Sequence, residues 1–119
     1  MYKPTSVCVD KPWGNFIQYV LNDKCTVKVL TCDPGQQLSL QRHRYRDELW
    51  VALDHGAEVD LDGRIFTIDK GAEVWIPAGS VHRLSCSSSV LASVRVLEIS
   101  FGSFSEDDIE RLEDMYERI

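Results

Sequence analysis

The sequence predicts an all-β fold, a sandwich or barrel of short strands ending in a short α-helix. Three observations predict it. Short runs rich in Val, Ile and aromatic residues recur along the 119 residues, separated by turn residues. Asp62-Gly63 lies between two such runs and is the strongest local hairpin signal in the chain. Near the C-terminus the apolar spacing changes from alternation to intervals of three and four.

Each element follows in order. Asn15–Leu21 and Cys25–Thr31 flank Asn22-Asp23-Lys24 and predict a hairpin. Pro34-Gly35 marks a turn before Leu38–His43. A second turn, Arg44–Asp47, brings Glu48–Leu53 back alongside it. Glu58–Leu61 and Arg64–Ile68 form the Asp62-Gly63 hairpin, and Glu73–Ile76 is bounded by Lys70-Gly71 and Pro77-Ala78-Gly79. Leu91–Phe101 is a long strand. Ser105 then reads as a helix N-cap before Glu106, Asp107 and Asp108, with Ile109, Leu112, Tyr116 and Ile119 on one face. That helix spans 105–118 and is expected to pack on the β-structure. The chain, residues 1–119, reads as one domain.

Composition narrows the function classes. The net charge is −6, which disfavours a nucleic-acid groove. Arg42, Arg44 and Arg46 run against that sign and suit a small anion. Cys8, Cys25, Cys32 and Cys86 include no C-x-x-C pair, and no apolar run reaches membrane-helix length. The N-terminus lacks the apolar core of a signal peptide, so a cytoplasmic protein with reduced thiols is expected.

Gln41, His43 and Glu48 fall close together, with His82 downstream. On a strand Gln41 and His43 share a face, because side chains alternate. Two imidazoles, a carboxylate and an amide oxygen would make a mixed N/O donor set for one divalent ion, against the plainer reading of strand histidines as hydrogen-bonded polar residues. Zinc comes first, with manganese, iron, nickel, cobalt or copper as alternatives. Glu98, in Leu97-Glu98-Ile99, is either a buried base or a charge on the outer face. Trp13, Trp50 and Trp75 read as core more readily than as sugar platforms.

Gly35-x5-Gln41-x-His43-x4-Glu48 resembles the first motif of the cupins, and Gly71-x5-Pro77-x-Gly79-x2-His82 resembles the second. The resemblance implies a double-stranded β-helix, or jelly-roll barrel, with those four side chains as metal ligands. Departures are Gln41 for the first His, Gly56 one residue late, and Cys86 where Asn is usual.

A narrower resemblance covers almost the whole chain. Lys11-Pro12-Trp13-Gly14, Leu38-Ser39-Leu40-Gln41-Arg42-His43 with Arg46-Asp47-Glu48-Leu49-Trp50, and Glu106-Asp107-Asp108-Ile109 with Arg111-Leu112-Glu113-Asp114-Met115-Tyr116 resemble blocks of the type II mannose-6-phosphate isomerases. There Gln is an accepted ligand, while Arg44, Tyr45 and Leu49 replace typical His residues. The resemblance implies a metal-dependent aldose–ketose isomerase acting on a sugar phosphate. Alternatives are a non-catalytic sugar-binding cupin and a metal-dependent oxygenase. Arg46, Arg44 and Trp50 are then substrate-binding candidates, and Glu98, Arg46 and Tyr45 catalytic ones. No nucleotidyltransferase domain precedes the cupin in this sequence, so sugar-nucleotide synthesis is not expected of it. A homodimer is expected, with the arm Met1–Lys11 reaching a neighbour, because edge strands need covering and C2 pairing is the commonest assembly.

Overall fold

The computed structural model describes residues 2–118. Eleven strands lie among them: β1 (Val7–Lys11), β2 (Gly14–Gln18), β3 (Cys25–Cys32), β4 (Leu40–Arg42), β5 (Arg46–Ala52), β6 (Ala57–Leu61), β7 (Arg64–Ile68), β8 (Glu73–Ile76), β9 (His82–Cys86), β10 (Val94–Gly102) and β11 (Glu110–Glu113). They form a ribbon β1-β2, a four-stranded sheet ordered β3-β10-β5-β8, and a five-stranded sheet ordered β11-β4-β9-β6-β7. Hydrogen bonding does not close the two larger sheets into a barrel.

The pleat decides which side chains go inside. On β9, His82, Leu84 and Cys86 are buried while Arg83 and Ser85 are only half-buried. On β10, Val94 and Val96 join Trp50, Ala52, Val74 and Ile76 of the same sheet and Ala57, Val59, Ile68 and Leu84 of the opposite one in a single core. Each such side chain contributes roughly 1.5–3 kcal/mol by leaving water. The other face of β5 and β10 is buried too. Leu49, Val51, Ile99 and Phe101 lie beneath Tyr19 and Val20. That explains why Leu49-Trp50-Val51-Ala52 is continuously apolar rather than alternating.

Asp62 (φ 50°) and Gly63 (φ 86°) both adopt the left-handed conformation that a two-residue hairpin needs, and β6 pairs with β7 as expected. The hairpin expected between Asn15–Leu21 and Cys25–Thr31 does not form. β2 pairs with β1 around Pro12-Trp13, and β3 pairs over its whole length with β10. The eight-residue ladder with β10 outweighs a local turn signal at Asn22-Asp23-Lys24.

The C-terminal helix is also replaced. Among the described residues of 105–118 there is no helix, and Glu110–Glu113 pairs with β4 through Glu110↔Arg42 and Arg111↔Gln41. Ser105 does cap, but only one turn: its Oγ accepts from the Asp107 amide at 3.2 Å and its carbonyl from the Asp108 amide at 3.1 Å. A helix this short is marginal alone, whereas the β4 edge offers backbone partners. Ile119, expected on the helix face, lies outside the described residues. Gly102 redirects the chain into this segment. Its φ is +100°, and a Cβ there would meet the Tyr45 carbonyl oxygen at 2.7 Å.

Candidate metal centre

Three side chains converge inside the sandwich. Glu48 is on β5, His82 opens β9, and His43 follows β4. All three are buried, and their ligand atoms lie within 4.8 Å of one another. His43 Nε2 is 3.4 Å from Glu48 Oε2, and His82 Nε2 is 3.6 Å from Glu48 Oε1. Gln41 pairs directly with His82 across β4 and β9, which puts both on one face. Its amide oxygen accepts from Ser39 Oγ at 2.8 Å.

The outer nitrogens fix the tautomers. His43 Nδ1 lies 2.7 Å from the Asp108 carbonyl, and His82 Nδ1 lies 3.0 Å from the Ser80 carbonyl. A carbonyl only accepts, so both Nδ1 atoms carry the proton when the rings are neutral. Both Nε2 lone pairs then face Glu48. Burial, first of all, pulls the His82 pKa below its ordinary value and keeps that ring neutral. His82 Nε2 is buried with no hydrogen-bond partner. A lone pair left unmet beside a carboxylate is unfavourable unless a cation faces both. The donor set therefore fits a divalent ion, and the carbonyl-held imidazoles match the outer support that such ligands need.

Around the triad, Trp50 Nε1 donates to Glu48 Oε1 at 3.2 Å, and its ring stands edge-on to His82. The indole is fully buried, so it braces Glu48 rather than lining a substrate surface. Arg46 is buried as well. Its Nε donates to Glu48 Oε2 at 3.0 Å, Nη2 to His43 Nε2 at 3.3 Å, and Nη1 to the Ser105 carbonyl at 3.0 Å. Its guanidinium stacks on Phe104. The expectation of a phosphate-binding Arg46 thus meets a guanidinium already committed to the centre.

Glu98 faces the interior, paired across strands with Trp50, and accepts from Ser100 Oγ at 3.3 Å. Burial, then the Glu48 charge, pushes its carboxyl up to about 7. A cavity of about 660 Å³ has Arg42, His43, Arg44, Tyr45, Gly79 and Asp108 among its walls; of the triad, His43 alone lines it. Arg44 and Tyr45 are exposed there, and Arg42 is paired with Glu110 at 2.8 Å. Sequence reasoning missed Asp108 as a neighbour of His43; its place in the Glu106–Ile109 block was the only signal.

Residues 3–114 match the family model described as mannose-6-phosphate isomerase C-terminal. The chain belongs to that family. It is 38% identical over 111 residues to the alginate biosynthesis protein AlgA of Pseudomonas aeruginosa, covering 92% of this chain and 23% of that protein. It is 34% identical over 112 residues to the mannose-1-phosphate guanylyltransferase of Escherichia coli K12, covering 93% and 23%. The chain thus spans about a quarter of the length of these curated relatives. Among solved structures, a double-stranded β-helix protein from Klebsiella pneumoniae superposes with a TM-score of 0.64 at 16% identity, covering 94% of this chain and 86% of that one. The fold is that of a cupin, and the domain resembles the cupin of the type II isomerases.

Proposed function

We propose that the centre holds one divalent metal ion through Gln41, His43, Glu48 and His82, and that the chain interconverts mannose 6-phosphate and fructose 6-phosphate. The observation that carries the reading is the pair of Nε2 lone pairs aimed at Glu48, one of them unpartnered; a cavity lined by His43 gives a substrate somewhere to sit. The family description supports the substrate. The reaction moves a hydrogen from C2 to C1 through an enediol. A bound divalent ion, zinc before manganese, iron, nickel or cobalt, supplies Lewis acidity toward the oxygens on which charge develops. The chain's own residues do the rest. Arg44, on the cavity wall, holds the phosphate, since a guanidinium matches paired phosphate oxygens. Tyr45, on the same wall, is the proton carrier within the cavity's reach. Glu98 lies inside the sandwich and joins the proton path only through the interior. Arg46 fixes Glu48 in charge and orientation.

Sugar-phosphate binding without turnover is a second reading, favoured by the commitment of Arg46 to Glu48 and His43. One experiment separates them. Fructose 6-phosphate formation from mannose 6-phosphate is followed with metal-loaded and chelator-stripped protein, and binding is measured by calorimetry. Turnover that is lost with chelator is expected. Binding by the loaded protein without turnover would move the assignment to the second reading.

A further inference from the structure

The Glu106–Ile109 block has no task in the scheme above, yet its Asp108 bonds both His43 and Arg46. The Asp108 carbonyl accepts from His43 Nδ1 at 2.7 Å and from Arg46 Nη1 at 3.4 Å. The Asp108 carboxylate accepts from the amides of Arg44 and Tyr45 at 2.8 and 2.9 Å. The loop after β4 is thus wrapped around a single residue from the far end of the sequence. Two residues later the same segment enters β11 and pairs with β4 beside Gln41. At its start Phe104 lies under the Arg46 guanidinium at 4.5 Å.

We infer that the segment 104–109 is a strap that positions the metal ligand His43, and that Asp108 is its positioning residue. The carboxylate grips the two amides that follow His43. That grip sets the Asp108 carbonyl against Nδ1, and the carbonyl in turn holds Nε2 toward Glu48. Metal affinity therefore depends on a residue that never meets the metal. By reciprocity, the bound ion tightens the strap. The inference rests on the metal reading above.

Zinc affinity, measured by competition with a chromophoric chelator, tests it in the full-length chain. Asp108→Ala is expected to weaken zinc binding about 10- to 100-fold, the usual effect of losing an outer partner of a ligand. Asp108→Asn keeps one acceptor oxygen and is expected to fall between the two. Glu110→Ala cuts the Arg42 pair on the same cavity wall and is expected to leave affinity within about twofold, because Glu110 does not brace a ligand. Hydrogen exchange at the Arg44 and Tyr45 amides is expected to slow when zinc binds the unaltered chain. Both Asp108 variants binding zinc as tightly as the unaltered chain would overturn the strap and leave the metal site standing. An unaltered chain with no zinc affinity would overturn both. An equal loss in Glu110→Ala would reduce Asp108 to general support of the wall and overturn its positioning role.

Discussion

The two end segments of the chain are held in opposite ways. The β1-β2 ribbon bonds to itself in an unbroken ladder from Val7↔Gln18 to Lys11↔Gly14, and it leaves Trp13 73% and Ile17 48% exposed. The C-terminal segment has a ladder of only a few pairs, interrupted by a bulge between Arg111 and Glu113. Yet that segment reaches His43, Arg44, Tyr45 and Arg46. The difference teaches that regular pairing measures how a segment holds together, not what it does for its neighbours. A carbonyl engaged in a ladder has less to offer a side chain. Asp108 precedes β11, so its carbonyl is open to two donors.

The largest break in the comparison comes from Arg46, the side chain that joins strap to centre. Arg46→Met removes the guanidinium from a Glu48 that is 1% exposed. Removing one partner of a buried pair typically costs about 3–5 kcal/mol, because the other charge stays buried alone. Urea unfolding of metal-free protein is expected to show a loss of that size. Added zinc is expected to recover part of it, since a cation again faces Glu48. A loss under about 1 kcal/mol would mean that Glu48 does not depend on Arg46.

A smaller effect is expected at Glu98, which shares the interior but is not tied to the strap. Its carboxyl is raised from 4.5 to about 7, first by burial and then by Glu48. The folded state therefore binds this proton more tightly than the unfolded chain does. Stability tied to it is intact below about pH 4.5 and is lost as pH rises through 7. Glu98→Gln stays neutral throughout. In metal-free protein the variant is expected to gain stability over the unaltered chain as pH rises from 4.5 to 7, reaching roughly 1–3 kcal/mol and then holding steady. Carboxylates with lowered pKa, such as Asp54 and Glu110, act alike in both proteins and drop out of the difference. A difference that does not change with pH would show that Glu98 is not held neutral.

How much of this was legible in the sequence follows the range of the forces involved. Asp62-Gly63 was legible because a left-handed turn is a property of two residues. His43, Glu48 and His82, which do converge, were legible through the resemblance to two spaced motifs; strand alternation alone linked only Gln41 and His43. The strand partners of β2 and β3 were not, since Asn22-Asp23-Lys24 signals a turn but cannot say which strands meet. The end of the chain misled for a related reason. Ile109, Leu112 and Tyr116 fit a helical period, but an open edge at β4 is a property of the folded sheet and is absent from a local window. Arg46 reads in the sequence as a phosphate-binding candidate. Its commitment to Glu48 and His43 became visible only once β5 and the loop before it were in position.

The smallest effect on stability, and the sharpest test of the ribbon, comes from its exposed apolar residues. A two-stranded ribbon alone is marginal in water, so Trp13 and Ile17 invite a covering surface. The chain exposes 7317 Å², against about 6,600 Å² for a compact monomer of its mass. Val27 and Val29 are also more than half exposed on β3, a strand at the edge of its sheet. The expected outcome is a homodimer in which the ribbon meets a second copy. Trp13→Ser with Ile17→Ser should then shift sedimentation from dimer toward monomer. Exposed side chains contribute little to the fold of one chain, so each change should alter urea stability of the dilute monomer by no more than about 0.5 kcal/mol. Zinc affinity should not change, because the bonds that hold the centre and Asp108 involve neither Trp13 nor Ile17. A concentration-independent monomer in the unaltered protein would remove the dimer. A stability loss of several kcal/mol in the double variant would show that the ribbon packs on its own sandwich, and the contrast between the two ends of the chain would fall with it.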